Sequence, residues 1–221
     1  MQRIHFNEVV TRDGFQNEPA FVPTNAKVAL IDELSACGYA KIEVTSFVSP
    51  KAIPQLRDAE EVMGRIRRAP GVEYTVLVPN LRGAERALES RADELNLVMS
   101  VSETHNLSNL RMPRARSFEA LSEVIRSVES RAAINVSLST SFGCPMEGDV
   151  PASEVLAWAQ RFADLGTEPV EEKPKNKAKN KTKEAPQLPP KPKPGITGEP
   201  KAPDGETPTG QQAYEETHPK Q

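Results

Sequence analysis

Short β-prone runs alternate with helical segments through the first 168 residues, and this alternation constrains the fold more than any other feature. Each run is followed by apolar residues at helical spacing, as where Ala26, Leu30 and Leu34 follow Thr24, a predicted helix cap. Strand–helix alternation predicts a parallel sheet with crossover helices, and the near-equal spacing favours a barrel over an open doubly wound sheet. The predicted strands are IHFNEVV (4–10), KIEVTSF (41–47), VEYTVLV (72–78), ELNLVMSV (94–101) and INVSLST (134–140). The predicted fold class is therefore α/β, an incomplete (βα)8 TIM barrel of about five βα units.

The composition changes abruptly near residue 168, which predicts two domains of different kinds. All 7 Phe, the single Trp and all 15 Arg lie before residue 169, whereas 11 of the 20 Pro and 10 of the 13 Lys follow it. The later stretch has too few large apolar side chains to offset the entropy of ordering the chain. We therefore predict a partial TIM-barrel domain over residues 1–168 and a disordered Pro/Lys-rich tail over residues 169–221.

Charge and cysteine content exclude several classes of protein. Residues 1–168 contain 18 basic and 23 acidic side chains, a net charge of −5, whereas phosphate contacts with nucleic acid need a basic surface. No apolar run approaches the roughly 20 residues of a membrane-spanning helix, and MQRIHFNEVV lacks the pattern of a secretory signal. Cys37 and Cys144 are too few for a disulfide framework, so the expected location is the cytoplasm.

Polar side chains follow the predicted strands at the end where a TIM barrel places its working residues. Arg12 and Asp13 come directly after the first strand, where a carboxylate can bind a hard divalent cation and a guanidinium can stabilise an oxyanion. Glu43 lies inside an apolar strand, where a buried carboxylate must be paired, metal-bound or functional. A purely structural ion pair between Arg12 and Glu43 is the alternative interpretation.

Five stretches of this sequence, in this order, resemble hydroxymethylglutaryl-CoA lyase, a family of metal-dependent, aldolase-like (βα)-barrels. They are EVVTRDGFQNE, IEVTSFVSPKAIPQLRDAEEV, VLVPNLRGAERAL, SETHN and FGCPMEGDV. The resemblance runs from about residue 3 to Gly166, and RDGFQNE and TSFVSPK are its most specific parts.

The resemblance implies retro-Claisen cleavage of 3-hydroxy-3-methylglutaryl-CoA into acetyl-CoA and acetoacetate, a reaction of leucine degradation. It also implies an acyl-CoA substrate and a divalent metal cofactor, Mg²⁺ or Mn²⁺. Matched residue by residue, Asp13 is implied as a metal ligand and Arg12 as the cation that stabilises the enolate. Glu43 and Gln16 are implied as catalytic residues of the pocket. The weaker matches, implied as substrate-binding residues, are Ser46 and Asn80. His105, in SETHN, is interpreted as a loop residue that caps or contacts the CoA substrate rather than as a metal ligand.

Several motifs of the family have no counterpart in this sequence. The family's His-x-His pair is absent, since the only histidines are His5, His105 and His218, and the Gly-Asp-Thr turn and Gly-Gly-Cys-Pro loop are absent as well. Cys144 belongs to a different turn, GCPMEG, and is interpreted as a small packed residue rather than a nucleophile. One carboxylate holds Mg²⁺ or Mn²⁺ poorly, because such sites need several donors. We therefore expect a truncated lyase relative with doubtful metal binding, impaired or inactive alone, and the sequence leaves open whether it is an enzyme.

Two further expectations concern partners. A sheet of five strands exposes an edge at its first and its last strand, so we expect self-association into a homo-oligomer or pairing with a complementing chain. The alternative function is that of a non-catalytic binding protein acting through its tail. Within the tail, PQLPPKPKP (186–194) resembles the ligands of aromatic-groove domains, and KPKNKAKNKTK (173–183) has the charge to touch phosphate or acidic lipid. A solvated spacer is the simpler interpretation of the same stretch. Neither nucleic acid nor a membrane is an expected partner of the folded part.

Overall fold

A computed structural model describes residues 4–128 and 131–166 of the chain. The predicted tail over 169–221, with its Pro-rich and Lys-rich stretches and His218, lies outside the described residues. The two-domain division at residue 168 therefore stays a prediction. Within the described ranges, no helix is both long and apolar enough to cross a membrane.

Five parallel strands form one sheet, in which each strand pairs with its neighbour along the chain. They are β1 (Asn7–Glu8), β2 (Lys41–Ser46), β3 (Glu73–Leu77), β4 (Glu94–Ser100) and β5 (Ala133–Ser139). This order is that of a barrel wall, because an open doubly wound sheet reverses its strand order at a switch point. The predicted α/β fold, an incomplete TIM barrel, is confirmed as a half-barrel with helices on its outer side.

Six helices connect or follow the strands of the described chain. They are α1 (Thr24–Ser35), α2 (Ala59–Arg65), α3 (Leu81–Glu89), α4 (Glu103–Leu110), α5 (Arg114–Val128) and α6 (Ala152–Ala163). α4 follows β4 directly, in a polar stretch of the sequence. The Ser102 side chain caps α4 by accepting a hydrogen bond from the backbone of His105 at 3.1 Å. The buried Asn106 side chain then accepts from the backbone of Ser100, which fixes this helix against β4.

The outer face of the sheet forms the core of the half-barrel. On β4, Leu95, Leu97 and Met99 are fully buried beneath the helices, whereas Glu94 and Asn96 alternate with them and face the interior. Because successive strand residues point to opposite faces, the apolar set faces the helices and the polar set faces the inside of the half-barrel.

The last two helices are joined by an aromatic cluster. The Phe118 ring of α5 lies 5.9 Å from the Trp158 ring and 4.9 Å from the Phe162 ring, both on α6, measured between centroids. The Arg161 guanidinium covers Phe118 and Trp158 at 4.1 and 4.2 Å. These contacts hold α6 against α5 at the end of the described chain.

A buried ion pair ties α1 to the segment that precedes α2. The Lys27 ammonium lies 2.6 Å from an Asp58 oxygen and donates a second hydrogen bond to the Gln55 carbonyl at 2.5 Å. The other Asp58 oxygen accepts from the Thr24 hydroxyl at 2.7 Å. The Lys27 and Asp58 side chains are 3% and 8% exposed, so the pair is almost fully removed from water.

Charged residues fill the interior at the amino ends of the strands. The Lys41 ammonium contacts Glu94 and lies 3.4 Å from Glu73, and the Thr75 hydroxyl donates to Glu94 at 3.2 Å. Burial raises the pKa of Glu73, and the nearby Glu94 charge raises it further. Burial lowers the pKa of Lys41, but its contacts with Glu94 and Glu73 outweigh burial, so the net pKa is raised. Because this ionic group occupies the interior at the amino ends of the strands, the half-barrel is open at their carboxyl ends.

Candidate active site

The candidate site begins at a five-residue π-helical turn, Val10–Gly14, directly after β1. β1 (Asn7–Glu8) is shorter at both ends than the predicted first strand (4–10), and residue 10 already belongs to the turn. Thr11 is buried in the turn, and its hydroxyl donates to the Glu43 carbonyl of β2 at 2.8 Å. That hydrogen bond fixes the turn to the sheet and directs the next two residues, Arg12 and Asp13, to the open end.

Arg12 and Glu43 form the ionic centre of the site. The Arg12 Nη2 atom donates to Glu43 Oε2 at 3.1 Å, while Nη1 donates to Asp13 Oδ1 at 2.8 Å. Arg12 Nε lies 3.1 Å from Glu43 Oε1 but makes no hydrogen bond, although it is buried. The Glu43 side chain is 4% exposed, so the arginine compensates a charge that could not otherwise be buried there. The ion pair between Arg12 and Glu43, which the sequence offered as an alternative interpretation, is thus present.

A hydrogen-bond chain continues from Glu43 across the interior face to β5. Glu43 Oε1 accepts from Asn96 Nδ2 at 3.3 Å. Asn96 Oδ1 in turn accepts from Asn135 Nδ2 at 3.0 Å and from the Ser137 hydroxyl at 2.9 Å. Sequence reasoning missed these three residues, because ELNLVMSV and INVSLST were interpreted only as strands. The alternation of polar and apolar residues along ELNLVMS was the available signal.

A cleft of about 740 Å³ opens beside this chain. Arg12, Gln16 and Asn80 line it, as do Asn96 and Ser137 of the interior chain. Its apolar wall is formed by Val48, Ile53, Leu77, Val98, Leu110 and Met112. The cleft therefore joins a cationic, hydrogen-bonding end to an apolar wall, an arrangement that suits a ligand with an anionic or carbonyl head and an apolar arm.

Three predicted site residues have structural partners of their own. The Asn80 side chain caps α3 by accepting from the backbone of Gly83 at 3.0 Å, although Asn80 also lines the cleft. Ser46 is buried, and its hydroxyl accepts from the backbone of Val48 at 3.3 Å. His105 lies in α4, where its Nδ1 is 2.7 Å from the Ser100 hydroxyl, and it is not among the residues that line the cleft. Substrate binding by these three residues remains a prediction.

The donors around Asp13 do not make a metal site among the described residues. The Asp13 side chain is 56% exposed and already accepts from Arg12, while its backbone carbonyl accepts from Asn17 at 2.8 Å. No group of three or more His, Cys, Asp or Glu side chains with metal-binding geometry occurs in residues 4–128 and 131–166. A single carboxylate beside a guanidinium does not fit Mg²⁺ or Mn²⁺, which need several oxygen or nitrogen donors.

A second polar group lies at the amino end of α4. Cys144 is buried with its Sγ 3.1 Å from the Ser102 hydroxyl, and the backbone of Met146 donates to the sulfur. Burial raises the pKa of this thiol, but hydrogen bonds with Ser102 and with the backbone of Met146 and Glu147 outweigh burial, so the net pKa is lowered. The Thr104 side chain and backbone N–H both lower the pKa of the Glu147 carboxyl by hydrogen bonding. Since this group fixes the GCPMEG turn to α4, the packing role interpreted for Cys144 agrees with its surroundings.

Comparison with known proteins gives a consistent set of relatives. The HMGL-like family model matches residues 3–171. The hydroxymethylglutaryl-CoA lyase YngG of Bacillus subtilis is 42% identical over 166 residues, which cover 75% of this chain and 56% of that protein. The mitochondrial hydroxymethylglutaryl-CoA lyase of Gallus gallus is 41% identical over 167 residues, covering 75% of this chain and 56% of the relative.

Solved structures agree with the sequence matches. An HMG-CoA lyase from Acinetobacter baumannii, in complex with coenzyme A and 3-methylmalate, is 48% identical with a TM-score of 0.70, covering 72% of this chain and 52% of that one. The Bacillus subtilis HMG-CoA lyase structure is 42% identical with a TM-score of 0.72, covering 74% of this chain and 55% of that one. The chain thus spans about half the length of the relatives that it matches.

Proposed function

The chain belongs to the HMGL-like family, and on that premise we propose that it cleaves 3-hydroxy-3-methylglutaryl-CoA into acetyl-CoA and acetoacetate. The observation that supports this proposal most directly is the Arg12 guanidinium, held by the buried Glu43 carboxylate at the open end of the half-barrel and lining the cleft. The relatives named as HMG-CoA lyases, one of them bound to coenzyme A, support the acyl-CoA substrate class.

The proposed reaction needs a fixed positive charge where negative charge develops. The substrate hydroxyl loses its proton, and the bond between the carbinol carbon and the carbon next to the thioester breaks. Its electron pair passes to the thioester as an enolate, which takes up a proton at carbon to give acetyl-CoA, and the remaining fragment is acetoacetate. A guanidinium held in place before the reaction stabilises the enolate oxygen without reorganisation, which is the usual source of a large rate effect.

The roles that we propose for the neighbouring residues follow from their positions. Glu43 fixes the guanidinium, since it is the buried anion that Arg12 contacts. Gln16 lines the cleft next to Arg12, where its side-chain amide can hydrogen-bond the substrate. The apolar wall of the cleft is the proposed location of the substrate's apolar arm.

An assay of acetoacetate release tests the proposal. The purified full chain, with 3-hydroxy-3-methylglutaryl-CoA and Mn²⁺ or Mg²⁺, is expected to release acetoacetate and acetyl-CoA in equal amounts. We propose that its rate is below that of the Bacillus subtilis relative assayed in parallel, because the described residues lack a complete metal site. Absence of acetoacetate at high enzyme concentration would contradict the proposed activity, and a rate equal to that of the relative would contradict the impairment.

Metal binding can be measured separately from turnover. We propose that Asp13 is the one ligand that the described part of this chain would contribute to a divalent-metal site, and that the chain does not complete such a site by itself. Titration calorimetry with MnCl₂ is expected to show no saturable binding to the full chain below a concentration on the order of 1 mM, because one exposed carboxylate binds divalent cations weakly. The matched control is Asp13→Asn. Tight binding by the wild-type chain that is lost in this variant would contradict the expectation.

The proposal also covers assembly and location. β1 and β5 each have one edge without a paired strand among the described residues, and we propose that a second copy or a complementing chain covers these edges in a cytoplasmic protein. Sedimentation velocity of the sample used for the activity assay shows whether the active species is larger than the 24.2 kDa monomer.

A further inference from the structure

The interior hydrogen-bond chain leaves the Asn96 amide a single orientation. Its Oδ1 atom receives two donors from β5, the amide of Asn135 at 3.0 Å and the hydroxyl of Ser137 at 2.9 Å. On its other side the amide meets Glu43 Oε1 at 3.3 Å, and an ionised carboxylate oxygen only accepts hydrogen bonds. Asn96 Nδ2 must therefore point to Glu43, which leaves Oδ1 facing β5.

This orientation has a direct effect on Glu43. The carboxylate has a separate partner for each oxygen, since Arg12 Nη2 donates to Oε2 and Asn96 Nδ2 donates to Oε1. Arg12 Nε also lies 3.1 Å from Oε1 but makes no hydrogen bond, so the hydrogen bond that fixes this oxygen comes from Asn96. The plane of the Glu43 carboxylate in turn determines where the Arg12 guanidinium lies.

We propose that Asn96 is a positioning residue for the cleft, which fixes the Glu43 carboxylate and through it the Arg12 guanidinium, while Asn135 and Ser137 hold the other end of its amide. This inference rests on the proposed function for its link to catalysis, but its structural part, the control of Glu43 by Asn96, is independent of any reaction. Asn96 is buried and spans from β5 to β2 without a direct contact with Asp13.

Few charged groups surround Glu43, so the effect of replacing Asn96 can be measured at this carboxylate. From the turn after β1, Arg12 is the charged group in contact with it. From β3, the neighbour in register is the uncharged Thr75. The next titratable groups on the interior face lie closer to the amino ends of the strands. Lys41 precedes Glu43 by two residues, Glu73 precedes Thr75 by two, and Glu94 precedes Asn96 by two.

The decisive variant is Asn96→Asp, which has nearly the same shape. One oxygen of the new carboxylate can still accept from Asn135 and Ser137, so the other oxygen faces Glu43 Oε1. Two carboxylates at that distance cannot both be ionised without a large cost, and a shared proton would restore a hydrogen bond between them. We expect Glu43 and the new carboxyl group to share one proton, which the Glu43 signal reports, and acetoacetate release to be low at pH 8 and to recover as the pH falls toward 6.

Carbon NMR of the side-chain carboxyls measures this titration without any turnover, with the Glu43 signal assigned from the spectrum of Glu43→Gln. The control is Asn109→Asp, which adds the same charge to the wall of the cleft where no hydrogen bond to Glu43 exists. Its Glu43 titration is expected to match the wild type. A second variant, Asn96→Val, has a strand-forming side chain without a donor, and it should raise the Glu43 midpoint by a smaller amount if Asn96→Asp does not fold.

The outcomes separate the two proposals. A raised Glu43 midpoint in Asn96→Asp or Asn96→Val, and not in Asn109→Asp, supports the positioning role even if no chain releases acetoacetate, in which case the proposed activity alone is wrong. A Glu43 midpoint that is unchanged in both folded Asn96 variants overturns the positioning role, whatever the activity. An activity loss in Asn96→Asp that is the same at every pH would also overturn it, because a merely structural defect has no reason to recover with acid.

Discussion

Replacing Lys27 with methionine is expected to lower the free energy of unfolding by about 3–5 kcal/mol. The ammonium group neutralises Asp58 and also donates to the Gln55 carbonyl, while both side chains of the ion pair are nearly inaccessible to water. Methionine keeps most of the packing volume but leaves the Asp58 carboxylate buried with the Thr24 hydroxyl as its remaining side-chain partner. A buried charge without its counterion lowers the free energy of unfolding far more than a surface ion pair raises it.

Urea denaturation followed by far-ultraviolet circular dichroism measures the effect. The matched control is Arg116→Met, which removes the exposed Arg116–Glu119 pair and should change stability by no more than about 0.5 kcal/mol. The double variant Lys27→Met/Asp58→Leu removes both charges and should recover most of the loss, because the cost arises from the unpaired carboxylate. A single Lys27→Met variant within about 1 kcal/mol of the wild type would show that the buried pair is unimportant for stability.

The largest expected effect on activity is that of Arg12→Lys. Lysine keeps the positive charge, but its single ammonium cannot reproduce the guanidinium geometry that contacts Glu43 and Asp13 from separate nitrogens. Acetoacetate release should fall by about 100-fold or more, in the range seen when one preorganised donor to a developing oxyanion is removed. Affinity for acetyl-CoA should stay within about threefold, because the enolate charge is absent from this product.

The control for this experiment is Arg116→Lys, an exposed arginine on α5 that pairs with Glu119 and does not line the cleft, which should retain full activity. Circular dichroism of Arg12→Lys should match that of the wild type, so that a loss of fold is not mistaken for a loss of catalysis. Activity of Arg12→Lys within threefold of the wild type would remove Arg12 from the proposed mechanism and leave the Arg12–Glu43 pair as a structural ion pair.

The sequence predicted the sheet well because its signal is local. Each β-prone run forms a strand, and β2 and β4 begin at the predicted residues, Lys41 and Glu94. The predictions fail where contacts between residues far apart in sequence determine the backbone conformation. The first strand was predicted through residue 10, but Thr11 binds the Glu43 carbonyl and draws the chain into a helical turn.

The candidate site was predictable only in part for the same reason. Arg12 and Glu43 could be placed together because Arg12 follows β1 and Glu43 lies on β2, the neighbouring parallel strand. The link through Asn96 depends on the pairing of β4 with β5, which places Asn96 directly opposite Asn135. Strand register of this kind is set by the whole sheet, so a single strand sequence does not contain it.

The aromatic cluster between α5 and α6 gives the protein a built-in optical reporter. Trp158 is the single tryptophan of the chain, it is 8% exposed, and it packs against Phe118 beneath Arg161. Its fluorescence therefore responds to the separation of α6 from α5, whereas circular dichroism responds to all the helices at once. When both signals are followed in one denaturant series, coincident curves show that the last helix unfolds together with the sheet, and an earlier fluorescence change shows that it detaches first.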